Sequence, residues 1–387
     1  MLITPGTPQA IVGWISAGLL GLITGSFLNA VIHRLPRGIS LLNPSRSFCP
    51  GCERQIPWHE NLPVASWLFL RGRCSGCAMP ISLRYPLVEI LTAGLYLAAW
   101  GRFGLPEAVA YWILLSLLVA ATFIDIDHLI IPDEITLGGT ATGVVCATLL
   151  PGLVGATVWW TALPLSLAGA AAGYLILWGV VEGGKKAFGR RTTRPNAPEA
   201  LEITLDGEVP MMLHGGDAVP LAEFFHRESD RIEARVPWLE IDGERIVADG
   251  GSAPLVIDCR SLTFAGRSWG LEDLADTLPV RMEFTEITLP REAMGFGDVK
   301  FLACIGAFLG WKGVLFSLFF GSVTGAAAGL LTLTATRGRS GGKIPFGPYL
   351  AFGAVVWVLA GPRLLDLYAG WLRSEAAFFL LRSGLPV

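Results

Sequence analysis

The sequence predicts an all-α polytopic membrane protein of about eight transmembrane helices, with a small cysteine-rich loop and an inserted β-rich soluble domain. Three observations carry that prediction. Of 387 residues, 52% are hydrophobic and only 16% charged, whereas a soluble globular domain is nearer a quarter charged. Apolar runs of about one bilayer's length recur along most of the chain. Residues 183–290 break that pattern with short alternating stretches bounded by Asp-Gly pairs. The formal net charge of −3 averages two unlike parts: residues 183–290 hold 19 acids and 12 bases, the remainder 13 acids and 17 bases. The membrane part is thus mildly basic, the usual mark of cytoplasmic loops, and calls for no nucleic-acid partner.

The first apolar run, Ala10 to Ile32, has no basic stretch before it and arginines after it, so it reads as a retained first span, not a cleaved signal. Its end carries the small residues Gly25 and Ser26, which suit close helix packing, and Asn29, which fits either an interhelical hydrogen bond or a site. Arg34 and Arg37 place the following loop in the cytoplasm and the amino terminus outside. That loop, residues 33–85, carries seven arginines and no lysine. Further spans are expected at about 84–101, 107–124, 134–151 and 160–181, and Asp125 to Glu134 forms a cytoplasmic turn between the third and fourth.

A basic hinge (Lys185, Lys186, Arg190, Arg191, Arg194) opens the insert. Leu201 to Leu205 before Asp206-Gly207, and Trp238 to Ile241 before Asp242-Gly243, alternate in the manner of hairpin strands, and Arg281 to Phe284 leads back to the membrane. The apolar block from Asp298 to about Leu333 is too long for one helix, and Gly310-Trp311-Lys312-Gly313 divides it into a short sixth span and a seventh. A basic loop from Arg337 to Lys343 is expected inside. An eighth span from near Pro348 to near Ala360 leaves an amphipathic carboxy-terminal segment, Leu364 to Leu381. The chain therefore divides into a first helix (1–32), a cytoplasmic four-cysteine loop (33–85), helices two to five (86–182), the insert (183–290), helices six to eight (291–362) and the terminal segment (363–387).

Two constellations carry chemistry. Cys49-x-x-Cys52, 21 intervening residues and Cys74-x-x-Cys77 give four thiolates at the spacing of a tetrahedral structural Zn2+ site, which would pin a loop with little core of its own. Disulfides are rare in a reducing cytoplasm. Four sulfurs leave no open position, so the metal is expected to be structural, and His59 between the pairs is superfluous. Of the remaining cysteines, Cys146 and Cys304 lie in apolar runs as small hydrophobes, and Cys259 stands alone.

The second constellation is a pair of acids. Asp125 lies at the inner end of the third span and Asp298 at the inner end of the sixth, so both reach the same membrane face from distant sequence. Charges are costly there and acids in spans are functional suspects. Two carboxylates that share one water suit aspartyl proteolysis, because close like charges split their titrations. Gly295 and Gly297 allow close backbone approach or positive φ, and Lys300 follows. Asp127, Asp133 and Glu134 read as helix-end charges, the latter two in the first turn after Pro132 where the dipole favours anions. His128 reads as interfacial. Paired intramembrane acids also mark proton-coupled transporters, although those place the charges near the midplane.

At this point the chain resembles the prepilin peptidases, the type 4 prepilin leader peptidase and N-methyltransferase family of bacterial inner membranes, a Gly-x-Gly-Asp class of membrane aspartyl protease. The likeness runs through Gly25-Ser26-Phe27-Leu28-Asn29 with Arg34-Leu35-Pro36; Cys49-Pro50-x-Cys52; Asn61-Leu62-Pro63-Val64-x-Ser66-Trp67-Leu68; Arg71-Gly72-Arg73-Cys74; and Arg84-Tyr85-Pro86-Leu87-x-Glu89. It continues through Phe123-Ile124-Asp125 with Ile131-Pro132-Asp133, Gly295-Phe296-Gly297-Asp298-Val299-Lys300 and Pro345-Phe346-Gly347-Pro348.

The resemblance implies that Asp125 and Asp298 are the catalytic pair and that the leader of type IV prepilin or type II secretion pseudopilin precursors is cut after a glycine at the cytoplasmic face. It implies too that the new amino terminus is N-methylated from S-adenosylmethionine, with the cytoplasmic loop involved. No glycine-rich nucleotide signature assigns the donor's residues. A different Gly-x-Gly-Asp intramembrane protease is the other enzymatic reading, against which the four-cysteine loop argues. The family joins its fifth span to the Gly-x-Gly-Asp motif by a short loop, whereas about 100 residues intervene here, read as an interaction module whose acidity attracts a basic leader.

Overall fold

The computed structural model describes residues 8–43, 47–188, 190–206, 209–215, 217–225, 230–270, 278–290, 295–335 and 344–383. Gly207 of one expected turn, Met294, the Arg337 to Lys343 loop and the side chains beyond Arg373 lie outside this set. The chain forms two units, one of residues 1–178 with 295–387 and one of residues 179–294.

The first unit is helical: α1 (Pro8–Arg34), a short α2 (Ala65–Phe69), α3 (Arg84–Phe103), α4 (Glu107–His128), α5 (Asp133–Leu149), α6 (Trp159–Phe188, whose last residues pass into the second unit), α7 (Phe296–Ala335) and α8 (Gly347–Ser383). Five of them, α1, α4, α6, α7 and α8, are long and apolar enough to cross a membrane. The other three fall outside that set: α2 has only five residues, α3 carries Arg84, Glu89 and Arg102 in 20 residues, and α5 has 17 residues.

Small residues set the packing, as they do wherever lipid removes the hydrophobic drive between helices. Gly21 and Gly25 of α1 lie so close to α3 that an added Cβ would sit 2.5 Å from Ala93 Cα and 2.6 Å from Glu89 Cα. Gly169 and Gly173 of α6 meet the backbone of Gly306 and Leu302 on α7, and Ser166 Oγ donates to the Ala307 carbonyl across 2.7 Å. Gly139 and Gly143 of α5 accept Cys304, Ala307 and Phe308.

The first part of α7 is therefore clasped between α5 and α6, and almost every side chain from Val299 to Leu309 is buried. It spans only about 21 Å at 1.5 Å per residue, short of a hydrocarbon core of about 30 Å. Gly310 then takes φ 66°, ψ 178° and breaks the helix, at the position where the Gly-Trp-Lys-Gly sequence divides the apolar block.

The helix of the expected eighth span continues past Ala360 through Pro362 to Ser383, so Leu364 to Leu381 lie on the same helix, α8. Proline removes one backbone donor, and the helix-forming leucines around it sustain the turns on either side. One expectation is corrected: the basic segment after residue 182 is not a hinge, because Lys185 and Lys186 continue α6, and Arg190–Thr193 form strand β1.

The second unit is a β-sandwich. One antiparallel sheet has the order β1-β12-β5-β8-β9-β10, the other β4-β3-β2-β11-β6-β7. The ranges are β1 (Arg190–Thr193), β2 (Glu199–Asp206), β3 (Val209–His214), β4 (Asp217–Pro220), β5 (Ile232–Val236), β6 (Trp238–Ile241), β7 (Glu244–Val247), β8 (Ala253–Ile257), β9 (Ser261–Phe264), β10 (Arg267–Gly270), β11 (Val280–Phe284) and β12 (Glu286–Pro290). Alternate residues of both sheets, including Ile232, Leu239, Leu255, Phe264 and Phe284, meet in one apolar core. Each such side chain contributes roughly 1.5–3 kcal/mol on burial. The β6–β7 hairpin turns on Asp242-Gly243 with φ 53° and 74°, the doubly positive geometry for which Asp-Gly is suited.

Candidate active site and cysteine centre

Asp125 stands on the last turn of α4, one turn further into the helix than a turn beginning at Asp125 would place it. Leu129 ends that helix in the left-handed region and donates its N–H to the Asp125 carbonyl across 2.9 Å. Asp298 stands in the first turn of α7, its N–H bonded to the Gly295 carbonyl. The two side chains, 173 positions apart in sequence, come within electrostatic reach of one another. Both are buried, at 5% and 8% exposure, so each carboxylate gives up most of its hydration and depends on what the protein offers.

What the protein offers is unequal. Oδ2 of Asp125 accepts the backbone N–H of Gly347, at the start of α8, across 2.9 Å. Oδ1 of Asp298 is buried with no hydrogen-bond partner among the described residues. Ile131 links the two neighbourhoods: a Cβ on Gly297 would lie 3.2 Å from its backbone nitrogen, and a Cβ on Gly347 2.9 Å from its Cδ1. Gly297 is thus a close-approach glycine. Gly295 is not: among the described residues nothing lies nearer than 3.8 Å to its added Cβ, and it has no positive φ.

Two ion pairs beside the acids tie neighbouring helices together. Lys300 donates to both oxygens of Asp133, at 2.7 and 2.9 Å, and ties α7 to the first turn of α5. Arg84 pairs with Asp127 and also donates to the Phe123 carbonyl, tying α3 to the end of α4. Asp127 and Asp133 are therefore helix-end charges with specific cross-helix partners. His128 Nε2 is buried without a partner among the described residues. Gly347 is the site residue to which sequence reasoning gave no role; its only signal was the Pro-Phe-Gly-Pro stretch around it.

The cysteine loop is built from two equivalent knuckles. Cys49 N–H donates to Arg54 O and Glu53 N–H to Cys49 O; Cys74 N–H donates to Met79 O and Ala78 N–H to Cys74 O. Glu53 and Ala78 occupy matching left-handed positions, φ 55° and 59°. All four sulfurs lie within 4.8 Å of one another, and Cys49 Sγ is 3.7 Å from Cys77 Sγ. A tetrahedron with Zn–S of about 2.3 Å has an edge of about 3.8 Å, so the donor set fits Zn2+. Backbone N–H groups of Cys77 and Gly76, with the Cys49 side chain, pull the Cys74 thiol down to about 6, whereas Cys77, despite the Met79 backbone hydrogen bond, is raised to about 11 by burial and by the other three sulfurs, so the first negative charge of the cluster settles on Cys74. His59 is no member of the cluster.

A cavity of about 350 Å³ adjoins this loop, between it, α1 and the start of α3. Asn29, whose role the sequence left open, lines it and donates Nδ2 to the Tyr85 carbonyl across 3.1 Å, joining α1 to α3.

Comparison with known proteins completes the picture. Residues 19–103 match the bacterial peptidase A24 N-terminal domain, and residues 112–191 and 263–330 match the type IV leader peptidase family. A prepilin leader peptidase/N-methyltransferase of Myxococcus xanthus is 32% identical over 324 residues, 84% of this chain and 64% of that protein. One from Aeromonas hydrophila is 29% identical over 380 residues, 90% of this chain and 91% of the relative. One from Klebsiella pneumoniae is 40% identical over 187 residues, 44% of this chain and 76% of the relative. No solved structure gives a significant match. With the two acids brought together and the four sulfurs gathered, the chain belongs to the type IV leader peptidase family.

Proposed function

We propose that this protein is a membrane aspartyl endopeptidase that removes the leader of type IV prepilin or type II secretion pseudopilin precursors and then N-methylates the new amino terminus. The observation that carries the reading is the juxtaposition of buried Asp125 and Asp298 in a chain of this family. We read the chain as eight helical crossings of a bacterial inner membrane, with the acids and the cysteine loop on the cytoplasmic side and the β-sandwich as a separate inserted domain. The break at Gly310, which ends a short buried helix, supports counting α7 as two crossings.

The unequal surroundings of the acids suggest their roles. A hydrogen bond to a carboxylate favours its charged form, so Asp125, held by the Gly347 N–H, acts as the base. Asp298, with an oxygen that meets no donor among the described residues and a charged neighbour, keeps the proton. Asp125 takes a proton from a water between them, the oxygen attacks the scissile carbonyl carbon, and the Asp298 O–H hydrogen-bonds the carbonyl oxygen as charge develops there. Collapse breaks the C–N bond, and the proton on Asp125 passes to the leaving amine.

Cys49, Cys52, Cys74 and Cys77 would hold Zn2+, which fixes the loop's shape. The chemistry of S-adenosylmethionine, when bound, is to supply a methyl group with no bonding electrons to the freed amine. Co-expression with a precursor, followed by mass analysis of its amino terminus, tests both activities in one spectrum. An intact leader beside a folded, inserted protein would refute the peptidase.

A further inference from the structure

The cavity beside the cysteine loop uses none of the peptidase machinery, yet its walls are chemically rich. Two acids line it, Glu60 and Glu89, with Arg34, Asn29 and the rings of Trp67 and Tyr85. Its volume of about 350 Å³ lies in the range of small-molecule sites. Glu89 is the unusual member. It sits on α3 against α1, only 6% exposed, and forms no ion pair among the described residues. A buried carboxylate without a cation is costly and calls for an explanation.

The fold takes trouble to hold Glu89. Its Oε2 accepts the N–H of Val64 across 2.7 Å. Val64 is β-branched yet adopts φ 58°, a conformation that costs such a residue energy and persists only where its surroundings impose it. Gly25 gives α3 the room to bring Glu89 against α1, since a Cβ there would lie 2.6 Å from Glu89 Cα. Trp67 is fixed by its Nε1–H to the Ile81 carbonyl, 3.0 Å, and packs over Gly72. Arg34 is fixed by its hydrogen bonds to the carbonyls of Ser40 and Leu41. These are the features of a built pocket: an anion, an amide, a cation and aromatic faces, each tied to the backbone by an independent contact.

We infer that this cavity is the binding site of the methyl donor, S-adenosylmethionine, with Glu89 as the anion that meets its positive end. The inference rests on the N-methyltransferase half of the reading above. The donor combines a sulfonium and an ammonium, which a buried carboxylate attracts; a carboxylate, which suits the Arg34 side; and a flat base, which suits Trp67 or Tyr85. A glycine-rich nucleotide loop is not needed, because the donor has no phosphate to cradle. In the transfer, the acceptor ammonium first gives its proton to solvent. The amine lone pair then forms the N–C bond as the S–C bond breaks, and sulfur keeps that electron pair and leaves as a neutral thioether. The Zn2+ site acts at a distance: the two knuckles anchor the chain segments that present Glu60, Trp67 and the Val64 clamp.

The test is equilibrium binding of radiolabelled S-adenosylmethionine to the purified, zinc-loaded full chain in detergent, with leader cleavage and zinc content measured on the same preparation. Wild type is expected to bind, and S-adenosylhomocysteine to compete. Glu89→Gln keeps an oxygen for the Val64 N–H and loses only the charge, so it is expected to weaken binding about tenfold or more with zinc content unchanged. Ala30→Phe, which fills the cavity from α1, should abolish binding. Wild-type affinity in both variants overturns the inference, as does a wild-type chain that cleaves the leader but binds no donor. A chain that neither cleaves nor binds overturns the function proposed above instead.

Discussion

The backbone N–H of Gly347 donates to Oδ2 of Asp125 across 2.9 Å, although the two residues are 222 positions apart. That bond joins the first residue of α8 to the last turn of α4 and fixes one acid of the pair. A methyl at position 347 would lie 2.7 Å from the same oxygen and 2.9 Å from Ile131 Cδ1, too close for either to stay put. Misplacing a catalytic group by about 1 Å costs on the order of 100-fold. Gly347→Ala is therefore expected to lower kcat for leader cleavage by about that factor, with KM little changed and the protein inserted at normal levels. Normal turnover would show that the Gly347 contact does not position the acid.

Replacing either acid should be far worse. Asp125→Ala and Asp298→Ala are each expected to abolish cleavage, with accumulation and insertion unchanged. As the proposed dyad, the pair would hold one proton between them in the wild type. Activity then falls on the acid side when both are protonated and on the alkaline side when both are ionised, giving a bell-shaped profile of kcat/KM whose limbs belong to the pair. A profile flat across the carboxylate range, or substantial activity in either variant, would remove the dyad from the mechanism.

What the sequence discloses about this site, and what it hides, divides along a physical line. Charged side chains in apolar runs are conspicuous because burial makes them rare, so Asp125 and Asp298 stand out unaided. Gly-Trp-Lys-Gly at 310–313 interrupts an apolar block, and Asp242-Gly243 carries the chemistry of its own turn. The Gly347 contact is a backbone donor, which no side chain advertises. Lys300 with Asp133, 167 residues apart, and β1 with β12 are long-range pairings that local patterns do not encode. The continuity of α8 through Pro362 is likewise decided by its neighbours and not by the proline. Glu89 looks like any helical acid until α1 covers it.

Zinc removal should separate the two activities. The Cys49→Ser, Cys52→Ser double variant leaves two sulfurs of four and is expected to lose metal, expose the loop to protease and lose methylation first. The proposed cleavage site lies on α4, α7 and α8, so cleavage should decline later and less. Metal analysis, limited proteolysis and the mass of the pilin amino terminus report the three effects. Full methylation in a folded, zinc-free variant would refute this order.

The Lys300–Asp133 pair, one residue type from each of two helices beside the acids, offers a gentler perturbation. Asp133 is largely exposed, so the pair itself is worth at most about 1 kcal/mol, and its value lies in orientation. Asp133→Ala and Lys300→Ala are each expected to reduce cleavage within about tenfold, much less than loss of Asp125 or Asp298. The double variant should be no worse than the single ones, since each already removes the same contact. Additive losses would mean that the two residues act separately.

In the β-sandwich, the turn between β8 and β9 is organised by Asp258, whose Oδ1 accepts the N–H groups of Arg260 and Ser261 at 2.8 and 2.7 Å and whose Oδ2 accepts the Ser261 hydroxyl at 3.2 Å. Burial alone would raise this carboxyl, but those donors and the Arg231 charge outweigh it and hold it below the ordinary carboxylate value. With the folded value below the unfolded one, the unfolded chain binds more protons in between, and stability rises with pH there. The contribution is thus fully present above the ordinary value and is lost as pH falls through the depressed one. Hydrogen exchange of residues 253–264 in the full chain, corrected for intrinsic rates, should show constant protection from pH 7 to pH 5 and a decline below about pH 4. Asp258→Asn should cost the hairpin about 1 kcal/mol at neutral pH and flatten the acid decline, because the charge that titrates is gone. If the variant and the wild type lose protection in parallel on acidification, the decline belongs to other carboxylates and Asp258 is a turn residue only.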